Sequence, residues 1–245
     1  MFIGREEELN FLEDRYNSAD GQLIVLYGRR RVGKTELLRQ FCQDKEHIFY
    51  TCTEIIDEKQ LEAFSQRLLE KNHQAAKYIT RFSDWEQALL SISELAKEKK
   101  IVVVIDEFPY MVKGNNAIPS ILQKLWDEVL KQSNVMLILC GSAMSFIEKE
   151  VLAEKKPLYG RATGILKMQA MDFYSAQQFF PNYSIEDKIN AYAILGGIPH
   201  YLKQFSDKYS LGENIVRSIL EAVCYIVKWS FLCVRSCVRQ AFIMQ

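Results

Sequence analysis

Short, unbroken apolar runs alternate along this chain with stretches in which apolar residues recur every three or four positions. Residues 23–27 (Leu-Ile-Val-Leu-Tyr) form a continuous apolar run ending at Gly28, the pattern of a strand buried on both faces. Residues 35–42 follow with helical spacing, placing Leu37, Leu38 and Phe41 on one side. Residues 48–52 read as a second strand, and residues 61–69 and 85–96 as helices. Ile101-Val102-Val103-Val104-Ile105 is an uninterrupted β-branched run, whose crowded Cβ atoms favour an extended backbone. Residues 118–130 are helical in spacing, residues 135–140 make another buried strand, and residues 165–168 a last one. From 173 to 205 the pattern is of small helices. Strands that alternate with helices, each strand apolar throughout, predict an α/β fold with a parallel sheet covered by helices on both faces. A small helical lid then follows. The expected division is a core over 1–167, a lid over 168–221, and an atypical tail over 222–245.

Two features turn this fold into a chemical expectation. Gly28-Arg29-Arg30-Arg31-Val32-Gly33-Lys34-Thr35 fits G-x-x-x-x-G-K-[ST], the P-loop (Walker A) pattern, between a strand and a helix. Its glycines permit a tight loop whose backbone N–H groups surround phosphate oxygens. Lys34 would place its charge on the β- and γ-phosphates, Thr35 would ligate magnesium, and the helix that follows would point its positive end at the same anion. The β-branched strand ends on Asp106-Glu107. Two acids at the end of a buried strand need partners, and a metal and an attacking water supply them. Asp106 is the expected magnesium ligand, through a water, and Glu107 the group that polarises the nucleophilic water. The expected ligand is therefore a nucleoside triphosphate, with Mg2+ as its cofactor.

Other candidates carry two readings each. Ser142 follows the strand at 135–140 and either senses the γ-phosphate or caps the helix around 144–149. Arg161, in Tyr159-Gly160-Arg161, either acts on the transferring phosphoryl group or forms a structural ion pair. Arg29, Arg30 and Arg31, within the phosphate loop, are further candidates for that phosphoryl contact, although their side chains are expected to face solvent or the sheet edge.

Charge and cysteine content narrow the setting. With 31 basic and 31 acidic residues the formal net charge is zero, which gives no overall electrostatic support for nucleic acid or an anionic membrane. The apolar runs are too short to span a bilayer. None of the six cysteines forms a C-x-x-C pair, and Cys42, Cys52 and Cys140 fall on predicted helices or strands. They are expected to be buried thiols in a reducing compartment, not a disulfide framework or a zinc site. His47, His73 and His200 are too scattered for a metal cluster. Met1-Phe2-Ile3-Gly4-Arg5 has no basic and apolar leader, so no signal peptide is expected and the location is expected to be cytoplasmic.

Taken together, these residues resemble the archaeal-type ATPases, a group among the STAND-like relatives of AAA+ proteins that also occurs in bacteria. The resemblance runs from Phe2-Ile3-Gly4-Arg5-Glu6 with Leu9, through the P-loop, the Asp106-Glu107 strand, Gly141-Ser142 and Tyr159-Gly160-Arg161, to Leu195-Gly196-Gly197-Ile198-Pro199. It covers roughly the first 220 residues. It implies that Phe2, Ile3, Gly4 and Arg5 lie against the adenine, favouring ATP over GTP, and that Gly196-Gly197-Ile198-Pro199 begins the lid helix. Read from the residues alone, the first segment is a helix entry and the second a turn between helices. Family members carry a winged helix after the lid, and many a further nuclease-like domain; neither pattern is legible here.

The expected function is ATP binding with hydrolysis that drives a conformational switch, with self-association open. The rival class is a nucleotide-binding signalling module with negligible turnover. From residue 222 the composition changes: no Asp or Glu occurs after Glu221, and Cys224, Cys233 and Cys237 crowd together. The expectation is a shifted reading frame, the alternative a short hydrophobic helix packed on the lid.

Overall fold

The computed structural model describes residues 2–72 and 75–220. Five strands, β1 (Gln22–Gly28), β2 (His47–Thr51), β3 (Ile101–Asp106), β4 (Val135–Gly141) and β5 (Gly164–Met168), form one sheet. Their order is β2-β3-β4-β1-β5, and every neighbouring pair is parallel. The α/β class with a parallel sheet, expected from the alternating pattern, is what the chain adopts. The helices α1 (Glu6–Tyr16), α2 (Lys34–Cys42), α3 (Asp57–Lys71), α4 (Trp85–Leu95), α5 (Phe108–Gly114), α6 (Ile118–Glu128) and α7 (Met144–Phe146) accompany it.

The continuous apolar runs are explained by burial on both faces. Leu23, Val25, Ile101, Val103, Ile105, Leu137 and Leu139 join Phe64, Trp85, Leu89, Leu122 and Trp126, from α3, α4 and α6, in one core. Alternation along a strand puts Ile24, Leu26, Val102, Val104, Met136 and Ile138 on the opposite face, where they are equally buried. There Phe11 of α1 lies so close to Ile24 and β5 that a Cβ on Gly164 would come within 2.8 Å of its ring. At about 1.5–3 kcal/mol per buried aliphatic side chain, these two layers supply the main driving force for the sheet.

Two helices escaped the pattern. In α5, Phe108, Pro109, Met111 and Val112 are all buried, so no polar face marks a period. In α1 only Leu12 is fully buried, and the amphipathic signal is weak. α3 starts at Asp57, ahead of the first expected position, because Asp57 is anchored by its own side-chain partners, described below.

The chain divides into two compact units. The larger comprises Arg5–Arg30 and Lys34–Gln169, and holds the sheet. The described part of the smaller comprises residues 2–4, Arg31–Gly33 and residues 170–220. Its helices are α8 (Phe173–Ala176), α9 (Ile185–Leu195), α10 (Pro199–Leu202) and α11 (Leu211–Ile215). They close on Ala176, Phe180, Tyr183, Ala191, Leu195, Leu202 and Phe205. Gly197 is required there: a Cβ would lie 1.8 Å from the Met171 carbonyl oxygen, and the Met171 N–H donates to the Gly197 carbonyl at 2.7 Å. The compositional change at 222–245, with Cys224, Cys233 and Cys237, lies outside the described residues, as does His73.

Cys42, Cys52 and Cys140 are free and buried. Burial pushes the Cys42 thiol up to about 12, with Lys45 opposing the shift. Burial also raises Cys52 and Cys140, and the carboxylate of Asp106 adds to both.

Candidate active site

The parallel sheet carries the carboxyl ends of β1, β3 and β4 to one edge, and the candidate chemistry collects there. β1 delivers Gly28, whose missing side chain is a packing requirement, since a Cβ would stand 2.3 Å from the Met168 carbonyl oxygen of β5. The loop then winds through Arg31 (φ 70°) and Gly33 (φ 96°), both left-handed, and enters α2 at Lys34. Glycine tolerates this geometry freely; Arg31 bears a cost of roughly 1–2 kcal/mol.

Lys34 is only 6% exposed, and its Nζ donates to the Gly28 and Arg29 carbonyls at 3.0 and 2.9 Å. The loop is thus closed by its own lysine at the N-terminus of α2, whose only hydrogen-bond partners among the described residues are neutral carbonyls. An ammonium has three donors, and a buried cation favours an anionic partner. The next residue, Thr35, donates from Oγ1 to Oδ2 of Asp106 at 2.8 Å, joining the start of α2 to the end of β3. Asp106, 3% exposed, also accepts from the Glu107 N–H through Oδ1 at 3.0 Å. A hydroxyl and a carboxylate in contact are hard oxygen donors, a set that fits Mg2+.

Glu107 caps α5 with a left-handed backbone (φ 53°), a conformation costing about 1–3 kcal/mol in a side-chain-bearing residue. Its Oε2 accepts from the Ser142 hydroxyl at 3.0 Å and from the Ser142 N–H at 3.3 Å. β4, which ends before Ser142, pairs with both β1 and β3, with Tyr27 opposite Gly141 and Ile105 opposite Leu139. That register brings Ser142 to the acid. The Ser142 side chain is turned to Glu107, and it is the Ser142 carbonyl that meets α7, accepting from the Met144 N–H at 3.1 Å; the N-cap position is Ala143, with no side-chain cap.

The sheet brings Lys34, Thr35, Asp106, Glu107 and Ser142 together. It does not bring Arg161 to them. Thr163, two residues on, donates from its N–H to the Leu23 carbonyl at 2.8 Å, at the amino end of β1. Five residues of strand, about 17 Å at the rise of a parallel strand, separate Leu23 from Gly28. There Arg161 forks onto Asp127, Nε at 3.0 Å from both carboxylate oxygens and Nη2 at 2.7 Å from Oδ2, while Nη1 donates to the Pro157 carbonyl at 2.9 Å. The carboxylate of Asp127 raises its pKa. Of the two readings of Arg161, the geometry within one chain fits the ion pair. Sequence reasoning did not identify Asp127, which no spacing pattern connects to residue 161.

The loop arginines have separate surroundings. Arg30 approaches the Tyr110 hydroxyl at 3.4 Å, while Arg31 lies 5.8 Å from the Tyr201 ring centroid and 3.4 Å from its hydroxyl. All three arginines are exposed. Arg5 is occupied within the larger unit, pairing with Glu8 at 2.5 Å and donating to the Gln169 carbonyl at 2.7 Å. Phe2, Ile3 and Gly4 belong to the smaller unit, where a Cβ on Gly4 (φ 64°) would sit 3.3 Å from Cβ of Ser175.

Residues 2–205 match the family model described as an ATPase domain predominantly from Archaea. An uncharacterised protein of Methanocaldococcus jannaschii is 36% identical over 204 residues, which cover 83% of this chain and 44% of that protein. The chain therefore spans less than half the length of this relative. Among solved structures, the Walker-type ATPase of Pyrococcus abyssi superposes with a TM-score of 0.68 at 23% identity, covering 88% of this chain and 71% of that one. A STAND protein with a tetratricopeptide repeat sensor from Pyrococcus horikoshii gives a TM-score of 0.54 at 17% identity, covering 88% and 32%. At those identities the two structures speak for the shared fold.

Proposed function

The chain belongs to the family of ATPase domains predominantly from Archaea, and on that premise we propose that it binds ATP with magnesium and hydrolyses it, using Lys34, Thr35, Asp106, Glu107 and Ser142. The observation that carries the reading is the junction of Lys34, buried at the base of the loop, with the Thr35–Asp106 bond beside Glu107. A triphosphate would receive the Lys34 charge, the loop N–H groups of residues 28–35 and the N-terminus of α2. Phe2, Ile3, Gly4 and Arg5 are proposed to favour adenine, on the family resemblance.

Thr35 and Asp106 would hold Mg2+, which supplies charge neutralisation at the phosphates when bound. Glu107 orients and polarises the attacking water, and the two Ser142 donors fix one of its oxygens, leaving Oε1 for that water. Ser142 would also lie close enough to register the γ-phosphate. A conformational switch driven by hydrolysis is proposed on the family resemblance.

A second reading, nucleotide held as a signalling ligand with negligible turnover, draws support from the placement of Arg161, away from the cluster and tied to Asp127. Phosphate release by purified protein, with and without Mg2+, separates the two. Hydrolysis predicts Mg2+-dependent release that falls by at least about a hundredfold in Glu107→Gln while ATP binding persists. Binding without release in the wild type supports the signalling module.

A further inference from the structure

The left-handed backbone of Glu107 endures only if the segment after it is held firmly. That segment is α5, and a buried side chain from α3 reaches it. Gln60 is fully buried (0% exposed), and its Nε2 donates to the Tyr110 carbonyl at 3.1 Å. Its Oε1 accepts from the Tyr50 hydroxyl of β2 at 2.9 Å. Burial raises the Tyr50 pKa, so the phenol stays protonated and remains a donor.

Tyr110 is the residue that closes the first turn after Glu107: its own N–H donates to the Glu107 carbonyl at 2.9 Å. Gln60 therefore grips the residue that fixes the acid's backbone. The far end of α5 is tied to the start of α3, where Asp57 accepts from Asn115 Nδ2 at 3.0 Å and from Trp85 Nε1 at 2.7 Å. At the near end, Pro109 packs so tightly on β4 that a Cβ on Gly141 would stand 2.9 Å from its Cδ. A core position needs no amide for packing, since methionine fills the same space without desolvating polar atoms. What the amide adds is a directed bond to one carbonyl.

We infer that Gln60 is a positioning residue for Glu107, holding α5 through the Tyr110 carbonyl and so setting where the carboxylate stands beside Ser142. The inference rests on the hydrolytic role proposed for Glu107. Gln60→Met keeps volume and removes the donor, while Gln60→Asn keeps an amide too short to span to Tyr110 and serves if the methionine variant folds poorly. Either variant is expected to lower kcat about tenfold, the worth of one buried hydrogen bond, with KM for ATP unchanged. In a Glu107→Gln background the same change should alter residual turnover by less than about twofold, because the group being positioned is gone. Independently of turnover, amide hydrogen exchange should quicken over 107–114 in Gln60→Met and stay unchanged over 34–42.

Unchanged kcat together with unchanged exchange over 107–114 overturns the inference, as does an undiminished kcat loss in the Glu107→Gln background, which would assign the effect to general packing. If the wild type releases no phosphate, the hydrolytic reading fails by itself. The exchange measurement then still decides whether Gln60 holds α5.

Discussion

The Thr35 hydroxyl and the Asp106 carboxylate meet at 2.8 Å, although 71 positions separate them in the chain. The contact joins the first turn of α2, which follows β1, to the last residue of β3, and β4 lies between β1 and β3 in the sheet. Thr35→Val keeps the β-branched shape and removes the hydroxyl. Expected is a marked rise in the Mg2+ concentration for half-maximal turnover, on the order of tenfold, with metal-free nucleotide binding little changed. Magnesium titration of phosphate release checks it; an unaltered midpoint would take Thr35 out of the metal site.

Ser142 holds Glu107 through both its hydroxyl and its N–H. Ser142→Ala removes one of those donors and the hydroxyl proposed to meet the γ-phosphate. A hydrogen bond to a charged group is worth roughly 1.5–3 kcal/mol, so kcat should fall about tenfold or more. Steady-state kinetics should show the loss in kcat and not in KM. A rise in KM alone would make Ser142 a ground-state contact.

Arg161 and Asp127 form a partly exposed pair, with side chains 27% and 47% accessible. Solvent screening limits such a pair to about 1 kcal/mol or less. Arg161→Ala should lower the melting temperature by about 2–4 °C and leave turnover per folded molecule within about twofold. If turnover per folded molecule collapses and returns on mixing with Glu107→Gln, the arginine acts across a subunit interface.

Much of this arrangement was legible because it is local. The P-loop is eight consecutive residues, and β3 announces Asp106 and Glu107 by ending on them. Ser142 is a candidate because it follows the apolar run of β4, and the register of β4 on β1 places Gly141 opposite Tyr27. What stayed hidden is non-local or aperiodic. α5 is apolar on nearly every side, so its pattern shows no helical face. Asp127 and Gln60 find Arg161 and Tyr110 only once helices are placed over the sheet, and single-sequence periodicity holds no information on that placement.

The buried thiols make a further check on packing. Burial raises the pKa values of Cys42, Cys52 and Cys140, so little thiolate exists in the folded protein near neutral or mildly alkaline pH. Peptide mapping after alkylation of the native protein should find these three unmodified, and all three modified once the protein is denatured. Fast native labelling of Cys140 would mean that the strand between β1 and β3 is open to solvent.

The loop from Gly28 to Thr35 is proposed as a triphosphate site whose principal counter-charge is Lys34. Calorimetric titration of a non-hydrolysable ATP analogue with Mg2+ into wild type and Lys34→Ala tests it most directly, with circular dichroism confirming that the variant is folded. Expected are saturable binding of one nucleotide per chain in the wild type, and at least about a hundredfold weaker binding in the variant, the loss of a buried charge-assisted contact. Equal affinity in the two proteins, or no binding to the wild type, would contradict it.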